Sequence, residues 1–132
     1  MSDRLRFPFI QRGLAPMSMM PIQLSRDSSS TNAMALVDSG ATMNVLPYEL
    51  GLELGAIWEA QDIAVRLGGS FGGDEAKLPA LNATVGAFES VELIFAWTRK
   101  PNTPLILGQV NFFREFNVFF FGGDLIFEVA KR

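Results

Sequence analysis

Neither cysteine nor histidine occurs anywhere in the chain. Their absence removes cysteine nucleophiles, Ser-His pairs, disulfides and the common zinc sites. A hydrolase of this composition must work through carboxylates, or through a hard metal held by them. No apolar run approaches the ~20 residues needed to span a bilayer. The first twelve residues mix Arg4, Arg6 and Arg12 with Phe7, Phe9 and Ile10 and have no sustained apolar core, so they do not read as a signal peptide. No basic patch is visible, and a net charge of -3 argues against a nucleic-acid-binding surface. The expectation is a cytoplasmic protein with no cofactor, no metal, no nucleic-acid partner and no membrane partner.

What is present describes a globular protein. Of 132 residues, 48% are hydrophobic and 19% charged, a balance that can build one core. A chain of this length is expected to form a single domain spanning 1–132. Residues 1–20 read as an irregular N-terminal extension or first strand, punctuated by Pro8, Gly13 and Pro16, and 21–130 as the core. Met17, Met19 and Met20 read as gap-filling core residues.

Periodicity makes the chain mainly β. Ile22 and Leu24 alternate with Gln23 and Ser25 as a strand, and 26–32 is a polar connection leading to a second strand over 33–37. A serine nucleophile in that polar stretch has no base to activate it. Tyr48 to Leu54 suits a short helix stopped by Gly55, with Trp58 packed against it. Glu49 and Glu53 share one face of that helix, which suits a solvated surface better than a carboxylate pair. Ile63, Val65 and Leu67 alternate into Gly68-Gly69-Ser70-Phe71-Gly72-Gly73, and a return strand runs through Ala76, Leu78 and Ala80. This is a hairpin with a glycine-rich tip. It is not a phosphate cradle, because no Lys-Ser or Lys-Thr follows and no helix opens after it. Strands are expected over 85–88 and 91–97 around Glu89-Ser90. Another runs over 116–121 and turns at Gly122-Gly123-Asp124 into 125–129. The six phenylalanines between 112 and 121 read as core or as a partner interface, with an aromatic cage as the lesser alternative.

The chemistry concentrates in Ala35-Leu36-Val37-Asp38-Ser39-Gly40-Ala41-Thr42. Leu36 and Val37 suit a buried strand, while Asp38 next in line would cost several kcal/mol if buried, charged and unpaired. Gly40 allows a tight turn, so the carboxylate can sit at a strand end among backbone N–H donors. Met43, Val45 and Leu46 resume the apolar pattern beyond it. Asp-Ser-Gly also describes an ordinary turn, and that reading stays open on these residues alone.

Three stretches together resemble the retropepsin-like aspartic proteases. Leu36-Val37-Asp38-Ser39-Gly40-Ala41 matches the active-site signature of that family. The glycine-rich hairpin from Gly68 to Gly73, about 30 residues on, matches its flap. Ile106-Leu107-Gly108, with a helix-like stretch and a strand pair behind it, matches the segment that threads through the catalytic loop and packs behind the aspartate. The resemblance covers roughly residues 20–130 and implies a mainly β, closed, barrel-like fold with a flap hairpin and one or two short helices.

It also implies an aspartic endopeptidase with Asp38 as the catalytic residue, Ser39, Gly40 and Ala41 supporting the loop, and Gly68, Gly69, Ser70, Phe71, Gly72 and Gly73 over a peptide substrate. Such chemistry needs two adjacent carboxylates, and this chain has one such loop and no internal repeat. A two-fold symmetric homodimer would bring two copies of Asp38 together. At about 3 Å and an effective dielectric near 20, two ionised carboxylates repel by roughly 5 kcal/mol, so the pair would share one proton. In the viral members an acid four residues after the aspartate pairs with an arginine just after the apolar-glycine segment. Here those positions are Thr42 and Gln109, and a neutral hydrogen bond between them is the expected replacement. The alternative function is a catalytically silent peptide- or protein-binding module of the same fold. A structural β-domain whose Asp38 only ties a turn is a third possibility.

Overall fold

The computed structural model describes residues 3–61, 64–68 and 73–132. Strands β1 (Leu5–Pro8), β2 (Ile10–Arg12), β3 (Ala15–Met17), β4 (Met19–Arg26) and β5 (Ser29–Val37) come first. They are followed by β6 (Asn44–Pro47), helix α1 (Tyr48–Glu53), β7 (Ala64–Arg66), β8 (Glu75–Lys77), β9 (Ala80–Thr84) and β10 (Val91–Thr98). The chain ends with β11 (Ile106–Leu107), helix α2 (Phe112–Glu115), β12 (Phe116–Phe121) and β13 (Ile126–Lys131). The mainly β expectation with two short helices is met.

Six strands close on themselves in the order β6-β11-β5-β4-β9-β10, because β10 also pairs with β6 in parallel. Closure removes the free edges that an open sheet would expose. Alternation in β4 explains the inside: Met20, Ile22 and Leu24 are buried while Pro21 and Gln23 are exposed. Leu81, Ala83, Leu93, Phe95 and Trp97 complete the core from β9 and β10. Helix α1 lies against Trp97 so closely that a Cβ on Gly51 would clash with the indole ring. The Trp97 Nε1–H donates to the Tyr48 carbonyl at 3.1 Å, and Trp58 meets Tyr48 and Trp97 edge-on. That contact realises the expected packing of Trp58 on α1.

Beside the barrel, β1, β13 and β12 form a second sheet. Leu5 pairs with Val129 and Phe7 with Phe127, so strands near the two ends of the chain lie side by side. Arg6 and Arg4 both bond the Glu128 carboxylate, at 2.9 and 3.2 Å. The Arg6 bond first, then that of Arg4, holds this carboxyl below the usual glutamate range.

Several boundaries differ from the sequence reading. Residues 3–20 are not an irregular extension but hold several strands: β1, the β2–β3 hairpin and the start of β4. Pro8 and Pro16 masked this, yet Pro8 sits at the end of β1, where a missing N–H is tolerated. The polar connection over 26–32 shrinks to Asp27 and Ser28, with Asp27 at φ 53°, and Ser29 to Asn32 belong to β5. The return strand of the hairpin stops at Lys77, and β9 begins at Ala80, since Pro79 between them has no N–H to donate. The strand expected over 85–88 is instead a turn, with Gly86 at φ 53° and Phe88 N–H bonded to Val85 O. The six phenylalanines divide. Phe112 and Phe116 are core, Phe113 packs against the core, Phe119 lies under Arg4, and Phe120 and Phe121 are exposed. Among the described residues no helix is long and apolar enough to cross a membrane.

Candidate functional site

Strand β5 runs through the barrel wall and releases the chain at Asp38. Its last residues are clamped from both sides. Leu36 and Val37 pair in parallel with Ile106 and Leu107 of β11, and Val37 N–H donates to the Ser18 carbonyl at 2.8 Å. The Ser18 hydroxyl donates back to the Val37 carbonyl at 2.7 Å. Asp38 then turns. Its N–H donates to the Leu107 carbonyl at 3.0 Å, and its own carbonyl accepts from Ala41 N–H at 3.1 Å.

The Asp38 side chain is half-buried, and its Oδ1 accepts from the Gly40 N–H at 2.9 Å. This is the backbone donor that the sequence reading asked for. A Cβ on Gly40 would lie only 3.3 Å from that oxygen, which is why a glycine suits the turn. Ser39 and Gly40 are exposed at the loop apex, and Ala41 is half-buried.

The segment that begins with Ile106, Leu107 and Gly108 locks this loop from behind. Gln109 N–H donates to Ala41 O at 2.9 Å and Val110 N–H to Thr42 O at 2.8 Å. A Cβ on Gly108 would stand 2.5 Å from the Met43 carbonyl oxygen and 2.8 Å from that of Ala41, an approach open only to glycine. The expected side-chain bond between Thr42 and Gln109 is replaced by another. Gln109 donates from Nε2 to the Ser39 carbonyl at 2.7 Å, so it ties the loop through its backbone.

Sequence reasoning passed over Asn44. Its side chain is fully buried and uses all its hydrogen-bonding capacity. Oδ1 accepts from the backbone N–H groups of Gly108 and Phe112, at 2.9 and 3.4 Å. Nδ2 donates to Ile94 O and to Asn111 Oδ1, at 2.9 and 3.2 Å. Asn111 in turn binds Ile94 N–H and Glu92 O. The signal available in the sequence was a lone amide placed among Met43, Val45 and Leu46, where a polar group must find partners.

A cavity of about 520 Å³ opens beside the loop. Asp38, Gly40, Ala41 and Thr42 line one side, and Arg66, Leu67 and Gly68 from the hairpin arm line the other. Met43, Val45 and Ile106 also line it, adding apolar surface. Gly73 returns the arm at φ 80°, with its N–H on Leu67 O, and Arg66 Nη1 donates to the Gly73 carbonyl at 3.0 Å. Gly69, Ser70, Phe71 and Gly72 lie outside the described residues, as do Asp62 and Ile63. The structure thus brings together the Asp38 loop, the Ile106–Gly108 segment and Gly68 of the hairpin, while Gly73 closes the arm against Leu67 and Arg66. Among the described residues no group of three or more Asp or Glu side chains is placed to hold a metal ion.

No protein-family model matches the chain, and no curated protein matches it. A solved structure does. A retropepsin-like aspartic protease from Rickettsia conorii superposes with a TM-score of 0.68, covering 99% of this chain and 94% of that one at 14% sequence identity. The fold is therefore retropepsin-like.

Proposed function

We propose that the protein is an aspartic endopeptidase that acts as a homodimer, with Asp38 of each subunit forming the catalytic dyad. The observation that carries this reading is the setting of Asp38. It stands at the apex of a loop fixed by backbone hydrogen bonds, on the wall of a cavity large enough for substrate side chains. The retropepsin-like fold supports the same reading.

In a two-fold dimer one chain, 1–132, forms one unit and supplies half of the site. The paired carboxylates share a proton, because two negative charges at that separation repel strongly. The ionised Asp38 takes a proton from a water that attacks the scissile carbonyl, while its protonated partner donates to the carbonyl oxygen; the first Asp38 then gives its new proton to the leaving amine as the second takes one back from the diol. No covalent intermediate forms. The Gly40 N–H steadies the carboxylate as it changes charge, and the Ser39 hydroxyl links the two loops across the axis. An extended peptide lies between the dyad and the hairpins from Gly68 to Gly73, pairing its backbone with strand edges. The substrate is met in the cytoplasm.

Incubation with a diverse peptide mixture between about pH 4 and 7 tests this reading, with wild type compared against Asp38→Asn. Cleavage by wild type should be blocked by a statine-type transition-state mimic and fall by about three orders of magnitude or more in the variant, which stays folded. Cleavage that persists in Asp38→Asn would overturn the assignment.

A further inference from the structure

We propose that Arg66 makes the cleft selective for peptides carrying an acidic side chain next to an apolar one, an inference that rests on the endopeptidase reading above. Among the described residues, Arg66 and Asp38 are the only charged ones lining the 520 Å³ cavity. The rest of the lining is mostly apolar, with Met43, Val45, Leu67 and Ile106 contributing the larger side chains.

Arg66 is exposed, and no carboxylate among the described residues lies within ion-pair distance of it. Its one side-chain hydrogen bond among the described residues, from Nη1 to the Gly73 carbonyl, holds the residue on the hairpin arm. A guanidinium has five N–H donors, so most of the fork stays available for a carboxylate, which it can grip with two parallel bonds. Glu75, opposite Arg66 in the β7–β8 register, instead lines a separate small cavity with Arg99 and Lys100. Among the described residues, Arg66 therefore presents its charge to the cleft without a neutralising partner.

Charge balance points the same way. The whole chain carries -3, so its general field disfavours acidic peptides. In the paired cleft two Arg66 side chains face a dyad that holds one negative charge, leaving these groups net positive. The cleft would be a cationic site within an acidic protein. A glutamate or aspartate on the substrate finds its partner there, and the Met43, Val45, Leu67 and Ile106 surface accepts the apolar neighbour.

The test uses fluorogenic decapeptides in matched pairs, with Glu or Gln scanned through each position beside a fixed leucine. Cleavage is measured with wild type, Arg66→Gln, Arg66→Lys and Arg66→Glu, and binding with the Asp38→Asn protein with and without Arg66→Gln. At one or two positions wild type should prefer the Glu peptide on the order of five- to tenfold in kcat/KM. That ratio should fall to about one in Arg66→Gln, drop below one in Arg66→Glu and be partly kept in Arg66→Lys. Cleavage with equal ratios in wild type and Arg66→Gln would overturn the selectivity and leave the protease reading standing. Glu-selective binding that depends on Arg66, without cleavage by wild type, would uphold the selectivity and overturn the endopeptidase. Neither cleavage nor binding of any peptide would overturn both.

Discussion

Around Asp38 the backbone is held by bonds from Ser18, Leu107, Gln109 and Val110, reaching in from both ends of the sequence. Across the same cavity, the arm of β7 and β8 consists of two three-residue strands. It joins the barrel through the short register of Trp97 and Thr98 with Lys77 and Ala76, and through a small apolar cluster of Leu67 and Ala76 with Ala96 and Met43. One wall of the cleft is thus cross-braced and the other is a cantilever. A carboxylate that must keep its geometry needs the first kind of wall, and a wall that must admit an extended peptide is better served by the second.

Two glycines give the largest handle on this contrast. Gly108→Ala drives a methyl group into the carbonyls of Met43 and Ala41, and unfolding in urea should show a loss of about 3 kcal/mol. Cleavage should fall with it, because the Asp38 loop must shift. Somewhat smaller is Asn44→Ala, which strands the Gly108 N–H and the Ile94 carbonyl in a buried site. It should lose about 2 kcal/mol by the same measurement.

On the arm, Gly73→Ala meets open space and must only tolerate φ 80°, so about 1 kcal/mol is expected, read as a small fall in Tm. A Gly73 variant as damaging as the Gly108 one would abolish the distinction between the walls. Slightest of all is an effect outside the cleft. The Glu128 carboxyl is held below its usual range by Arg6 and Arg4, so its contribution is complete above the unfolded glutamate pKa of about 4.3. It is lost as pH falls through the lower folded value. Glu128→Gln should lower stability slightly at neutral pH, flatten the acid limb of a stability-versus-pH curve and leave the most acidic pH nearly unchanged.

How much of this was legible in the sequence follows from how local each feature is. The Asp38 turn lies within a few residues, and Leu36, Val37 and Gly40 announce it. Helix α1 with its stop at Gly55 is equally local, and Gly55 does sit at φ 79°. Strand β1 could not be read, because Leu5 and Phe7 find their partners at Val129 and Phe127. The polar half of β5 reads as a loop, since Ser29 to Asn32 lie on a strand held by β4 pairing and not by burial. The Asn44 network escaped for a related reason: its partners sit at 94, 108, 111 and 112, and only the folded chain gathers them.

The pairing of β1 with β13 also sets an order of events. Arg4 and Glu128 are 124 positions apart, and closing a loop of that length carries an entropy cost that grows with the logarithm of its length. Contacts of such long range slow folding, so the terminal sheet should lock after the β4–β5 hairpin, whose turn spans only Asp27 and Ser28. In a refolding time course, protection of Met34 and Ala35 amides would precede that of Phe127 and Val129. The barrel wall would then form before the terminal sheet that flanks it.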